Sequence, residues 1–314
     1  MTTSVALLFP GQGAQFVGMG TELAERFPVV AEWYERAEEA CGLPLRELFA
    51  SGPPEQLCLT EILQPALLTV EIGAWLALQE LAQPKIVAAL GHSLGEYAAL
   101  VAAGVLDPAD AVALVRKRGH YMQSAVPAGV GGMMAVIGLR TEYVYRACEE
   151  FGGEEGIGVW VANDNCPGQI VVSGHIEGLK QIAGMFKDMG ARRLIALDVS
   201  APFHCPLMEP AAEAFVDDLY EAKANEPRFP VIANATAAPY KDADAVALLL
   251  EAQIHSPVLF RESLALLPHF KPDVLLDLGP KPVISGLAKR TIPDIRILAA
   301  DTPDKLEQAA KELE

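Results

Sequence analysis

Positive charge is scarce in this chain: 24 Lys and Arg stand against 41 Asp and Glu, a net charge of −17. That balance disfavours nucleic acid and anionic membrane as partners, since both require a basic face. Cysteine is sparse too. Cys41, Cys58, Cys148, Cys166 and Cys205 are odd in number, scattered and without a C-x-x-C pair, which argues against a disulfide framework and against a zinc site. No apolar stretch is expected to span a bilayer. The start, Met1 to Phe9, has no basic segment and runs into Pro10-Gly11-Gln12-Gly13, so it reads as a first strand and not as a signal peptide. Internal repeats and low-complexity tracts are missing as well. A cytoplasmic globular protein is the expectation.

What the chain has is apolar content, 51% of 314 residues, enough for a sizeable core and too long for one ordinary domain. Short apolar runs such as Val5–Phe9, Lys85–Leu90 and Val274–Leu278 alternate with helical patterns, which implies a mostly parallel sheet covered by helices. Thr60 reads as the N-cap of a long apolar helix carrying Gln64, and Asp107-Pro108 as the start of a helix carrying Arg116, Lys117, Arg118 and His120. Between Met133 and Leu197 the order becomes β-α-β-β-α-β, that of a ferredoxin-like unit. The expected fold is α/β: a large α/β-hydrolase-like domain with a short, mostly parallel sheet (1–128 and 199–314), carrying an inserted small ferredoxin-like α+β domain (129–198).

One stretch organises the rest. Gly91-His92-Ser93-Leu94-Gly95 lies between a buried strand and the helix that begins at Glu96, the context in which a G-x-S-x-G turn raises a serine hydroxyl at a helix N-terminus. A nucleophilic serine needs a base, and there are six histidines to choose from. His92 adjoins Ser93, but neighbours on a tight turn point different ways. His204 lies between Pro202 and Pro206, which stiffen the backbone and suit an imidazole that must be aimed. On the residues alone this remains one option beside a structural histidine. On the residues alone the Arg116–His120 cluster reads as a solvated helix end that complements the dipole.

Gly11-Gln12-Gly13, Leu63-Gln64-Pro65-Ala66-Leu67, Gly91 to Tyr97, Arg118-Gly119-His120-Tyr121-Met122-Gln123, Asn163 to Gln169 and Pro202-Phe203-His204 together resemble the malonyl-CoA:acyl-carrier-protein transacylase family, in matching order along nearly the whole chain. The resemblance implies ping-pong transfer of a malonyl group from malonyl-CoA to the phosphopantetheine thiol of holo acyl carrier protein, for fatty-acid or polyketide synthesis. It makes Ser93 the nucleophile and His204 the base, oriented by the backbone carbonyl of Gln253. The N–H groups of Gln12 and Leu94 become the oxyanion hole, and Arg118 with Gln64 the holder of the substrate carboxylate. Phe203 and Met122 become the wall that favours malonyl over bulkier acyl groups. No metal and no cofactor are implied, and a monomer is expected.

The carrier protein is acidic in this family's systems, so an acidic enzyme needs a local basic patch to receive it. Lys187, Arg192, Arg193, Lys281, Lys289 and Arg290 are the candidates. Two competing readings share the motifs: a serine hydrolase, which leaves Arg118 without a role, and a carrier-binding module without catalysis, which leaves Ser93, His204 and Arg118 without one.

Overall fold

Successive residues of the first strand point to opposite faces, and here both faces are apolar. Val5, Leu7 and Phe9 join one core cluster, and Ala6 and Leu8 another. A strand buried on both sides belongs in the middle of a parallel sheet sandwiched by helices. The computed structural model, which describes residues 3–127, 129–152 and 156–313, places it there.

In chain order the strands are β1 (Ser4–Phe9), β2 (Lys85–Gly91), β3 (Gly131–Ile137), β4 (Val159–Cys166), β5 (Gln169–His175), β6 (Arg193–Ala196), β7 (Val231–Ala233), β8 (Ala238–Pro239), β9 (Val274–Asp277) and β10 (Arg296–Ala299). One sheet runs β10-β9-β1-β2-β7-β8, parallel except for the short β7–β8 hairpin. The other runs β4-β5-β3-β6, wholly antiparallel, and is backed by helices Thr141–Phe151 and Ile176–Asp188 with a core of its own. That strand order and the β-α-β-β-α-β sequence are ferredoxin-like, as expected. Ala128 and Glu314, the expected ends of the two segments of the large domain, lie outside the described residues.

The structure corrects several local expectations. Thr60 is the first residue of its helix and not the cap: Leu59 takes that place, and the Thr60 hydroxyl faces Ser200 Oγ at 3.1 Å. Asp107 does cap its helix, accepting from the N–H groups of Ala109 and Asp110. Strand β4 runs on past Ala162. It continues through the polar run Asn163-Asp164-Asn165 because Val258 N–H donates to Ala162 O and Asp164 N–H to Val258 O, so the extension is held by the larger unit. Edge strand β10 has no counterpart in the sequence reading.

The expectation that no apolar stretch could span a bilayer also needs correction. Helix Thr60–Leu81 is long and apolar enough by length and composition, but 83% of its most apolar window is buried inside the fold, so it is a core helix. It carries Glu71, fully buried, with neither carboxylate oxygen hydrogen-bonded among the described residues. Burial, and to a lesser degree the neighbouring Asp277, hold this carboxyl well above its usual range, so the folded protein keeps it protonated. The unfolded chain ionises it above about pH 4.3, so this residue destabilises the fold increasingly as pH rises past that point. Glu71→Met is therefore expected to raise the thermal unfolding midpoint, with a gain of about 1–3 kcal/mol at neutral pH that is smaller at pH 5. Calorimetry at the two pH values checks this.

Candidate active site

In an open parallel sheet the clefts lie beyond the carboxyl ends of the strands. Here β1 leads into Gln12 and β2 into Ser93, and both residues line one narrow cavity of about 100 Å³. The turn at Ser93 is tight. Its φ is 51°, a left-handed conformation costly for a residue with a Cβ. The flanking glycines make it possible: a Cβ on Gly91 would stand 1.9 Å from the carbonyl of Gly95, and one on Gly95 would stand 2.3 Å from Phe9 O. Ser93 is held there by Asn234, whose Oδ1 accepts from Ser93 N–H at 2.6 Å while its Nδ2 donates to Gly91 O at 2.7 Å.

The structure brings Ser93 and His204 together, with Ser93 Oγ 2.8 Å from His204 Nε2. On the far side of the ring His204 Nδ1 lies 2.8 Å from the backbone carbonyl of Gln253. A carbonyl only accepts, so Nδ1 carries the proton and Nε2 is the free lone pair that receives the serine hydroxyl. His204 is itself left-handed (φ 59°) between its two prolines. Burial first, then the Arg118 charge, pushes its pKa down to about 3, so the imidazole is neutral at pH 7. His92, by contrast, turns away. Its Nε2 lies 2.7 Å from Asn165 Oδ1 in the second unit, and its ring packs on Phe260.

Arg118 is not a solvated helix end. It is 1% exposed and reaches into the cavity, where Nη1 donates to Gln64 Oε1 at 2.7 Å and Nη2 to Gln253 Oε1 at 2.8 Å and to Ser93 Oγ at 3.2 Å. The guanidinium also lies 5.6 Å from the centre of the Tyr97 ring. Leu94, Met122 and Phe203 line the same cavity. Of the residues expected at the site, all but Gln253 line this cavity, and Gln253 is bonded to two that do, His204 and Arg118.

The basic candidates are less unified. Arg192 and Arg290 line a single cleft of about 690 Å³ together with Arg140 and Arg261, whereas Lys281 sits elsewhere, donating to Gln15 O beside the Phe16 ring. Sequence reasoning missed the layer beneath the elbow. Asn234, Glu96 and Tyr240 are buried and joined by hydrogen bonds, Tyr240 through its hydroxyl to Glu96 and Asn234 through its N–H. Glu96 was in view as part of the motif; Asn234 and Tyr240 carried no signal, because they approach only through the pairing of β2 with β7.

A serine bonded to the free nitrogen of a neutral, carbonyl-oriented histidine can attack a carbonyl, and a buried arginine in the same cavity can hold an anion at the far end of what is attacked. The acyl transferase domain family model matches residues 6–306. The malonyl CoA-acyl carrier protein transacylase of Salmonella typhimurium is 40% identical over 307 residues, covering 98% of this chain and 99% of the relative, and that of Bacillus subtilis is 41% identical over 312, covering 99% and 98%. Among solved structures, the malonyl CoA-acyl carrier protein transacylase of Coxiella burnetii has a TM-score of 0.96 at 38% identity, covering 100% of this chain and 98% of its own. A malonyl-transacylase in complex with a type II polyketide synthase acyl carrier protein has a TM-score of 0.95 at 38% identity, covering 99% and 100%. The chain belongs to the malonyl-CoA:acyl-carrier-protein transacylase family within the acyl transferase domain.

Proposed function

We propose that this protein transfers the malonyl group of malonyl-CoA to the phosphopantetheine thiol of holo acyl carrier protein through a malonyl-Ser93 intermediate, in fatty-acid or polyketide synthesis. The observation that carries the reading is Ser93 Oγ at 2.8 Å from His204 Nε2 and at 3.2 Å from the buried Arg118 guanidinium. His204 takes the Ser93 proton as the hydroxyl attacks the thioester carbonyl, then gives it to the departing thiolate of coenzyme A. The carrier thiol repeats the sequence in the opposite direction. The N–H groups of Leu94 and Gln12 hold the oxyanion, each donor worth about 3 kcal/mol. Arg118 holds the malonyl carboxylate with help from Gln64. Phe203 and Met122 bound the acyl pocket, where exclusion of one added methyl is worth about 1–3 kcal/mol.

No cofactor enters this scheme, since the acyl group is carried by the protein's own serine. The two sheets, each with its own core, support a division into 1–128 with 199–314 and 129–198. A cytoplasmic location is part of the proposal. The five free cysteines, four of them buried, suit a reducing compartment.

Initial rates with both substrates varied are expected to give parallel double-reciprocal lines. Intersecting lines would rule out a free malonyl-enzyme. The carrier is received at the arginine-lined cleft of Arg192 and Arg290 and at Lys289, next to Arg290 in the chain. Joint reversal, Lys289→Glu with Arg290→Glu, is expected to raise the KM for carrier protein roughly tenfold and leave that for malonyl-CoA unchanged. Equal effects on both substrates would remove these residues from the docking surface.

A further inference from the structure

Arg118 is buried, yet among the described residues its hydrogen-bond partners, Gln64 Oε1, Ser93 Oγ and Gln253 Oε1, are all neutral. A guanidinium out of water and without a contacting anion is costly unless a charge close by offsets it. Glu96, 0% exposed, supplies that charge from the next position in the network. Gln253 stands between the two: its Oε1 accepts from Arg118 while its Nε2 donates to Glu96 Oε2 and to Ser93 O. Glu96 Oε2 also accepts from Asn234 N–H at 3.1 Å, and Glu96 Oε1 from the Tyr240 hydroxyl.

We infer that Glu96 is the resident counter-anion of Arg118, and that it takes up a proton when an acyl carboxylate reaches the arginine, so that the buried site keeps its net charge. The inference rests on the malonyl-transfer reading and adds to it the residue that sets how carboxylate binding depends on pH. The proton comes from solvent as the carboxylate enters and returns to solvent when the acyl group leaves on the carrier thiol.

Two carboxylates sharing one buried cation raise each other's proton affinity. The groups that face Glu96 leave it as the one that responds. Arg118 stays charged. Tyr97, from its own helix, and Tyr240, from beyond β8, are held above their usual range by burial. His204 and His92 are both lowered by burial. Glu96 alone is poised, pushed up to about 7 by burial against the opposing bonds from Tyr240, Gln253 and Asn234 and the Arg118 charge.

The test is the KM of the full-length protein for malonyl-pantetheine, a thioester without titrating phosphates, from pH 6 to pH 9. Proton-linked binding is favoured at low pH, so KM is expected to rise about tenfold with pH, the factor carried by a one-unit shift. Acetyl-pantetheine, which brings no carboxylate, shows no rise. In Glu96→Gln the amide oxygen still accepts from Asn234 and Gln253, and the amide nitrogen faces the Tyr240 oxygen. The rise in KM therefore disappears while the melting transition is retained. Tyr240→Phe removes a donor to the ionised form, raises the proton affinity of Glu96, and moves the rise to higher pH. A rise that persists in Glu96→Gln, or stays in place in Tyr240→Phe, overturns the inference while leaving malonyl transfer intact. A protein whose Ser93 is malonylated at no pH overturns the transfer reading and the inference with it.

Discussion

Arg118→Ala is expected to lower malonyl transfer roughly 10²–10⁴-fold, the equivalent of the 3–5 kcal/mol by which a buried charge suffers when its partner is removed. The loss is specific to the acyl group. Ser93, His204 and the oxyanion donors remain in Arg118→Ala, so slow transfer of an acetyl group should persist or improve relative to malonyl. Arg118→Lys should recover little, because an ammonium cannot span Gln64 and Gln253 with one planar fork. The measurement is the ratio of kcat/KM for malonyl and acetyl thioesters across the three proteins. A ratio unchanged by the substitutions would separate Arg118 from the substrate carboxylate.

Removing the base has a comparable effect on chemistry and none on acyl preference. His204→Ala is expected to slow acylation of Ser93 by roughly 10²–10⁴-fold for malonyl and acetyl alike. The pH dependence follows from the lowered pKa of this histidine. Its folded value of about 3 in the free protein lies below the usual 6.5, so kcat/KM for an acetyl thioester should stay level from pH 8 down to pH 5, where an ordinary imidazole would already be protonated. The same shift makes His204 a cost to folding in acid: the unfolded chain binds its proton near pH 6.5 and the native state does not, so stability falls as pH drops below that value. Stopped-flow acylation against pH checks the first expectation. A decline in kcat/KM centred near pH 6.5 would contradict it.

The features legible in the sequence are those whose cause is local. The glycines around Ser93 are adjacent to the residue they serve, the prolines bracket His204, and Asp107 caps a helix that starts at the next residue. Thr60 failed as a cap for a reason that is not local: its hydroxyl has a partner in Ser200, 140 residues along the chain. The bracket beneath the elbow was not legible, because Asn234, Tyr240 and Gln253 reach Ser93 and Glu96 from at least 138 residues away. Glu71 hides similarly: a glutamate in a helix reads as solvated, and only the folded structure shows it buried. The far end of strand β4 was not legible either, because Asn163-Asp164-Asn165 look like a loop until Val258 pairs beside them.

The central claim is a malonyl group held on Ser93 and handed to a carrier. Intact mass of the protein after brief exposure to malonyl-CoA, with and without holo acyl carrier protein, tests it directly. The account predicts a malonyl adduct that persists when the protein is alone, passes to the carrier when it is added, and is absent in Ser93→Ala. Steady release of free malonate with no labelled carrier, or an adduct that survives in Ser93→Ala, would contradict it.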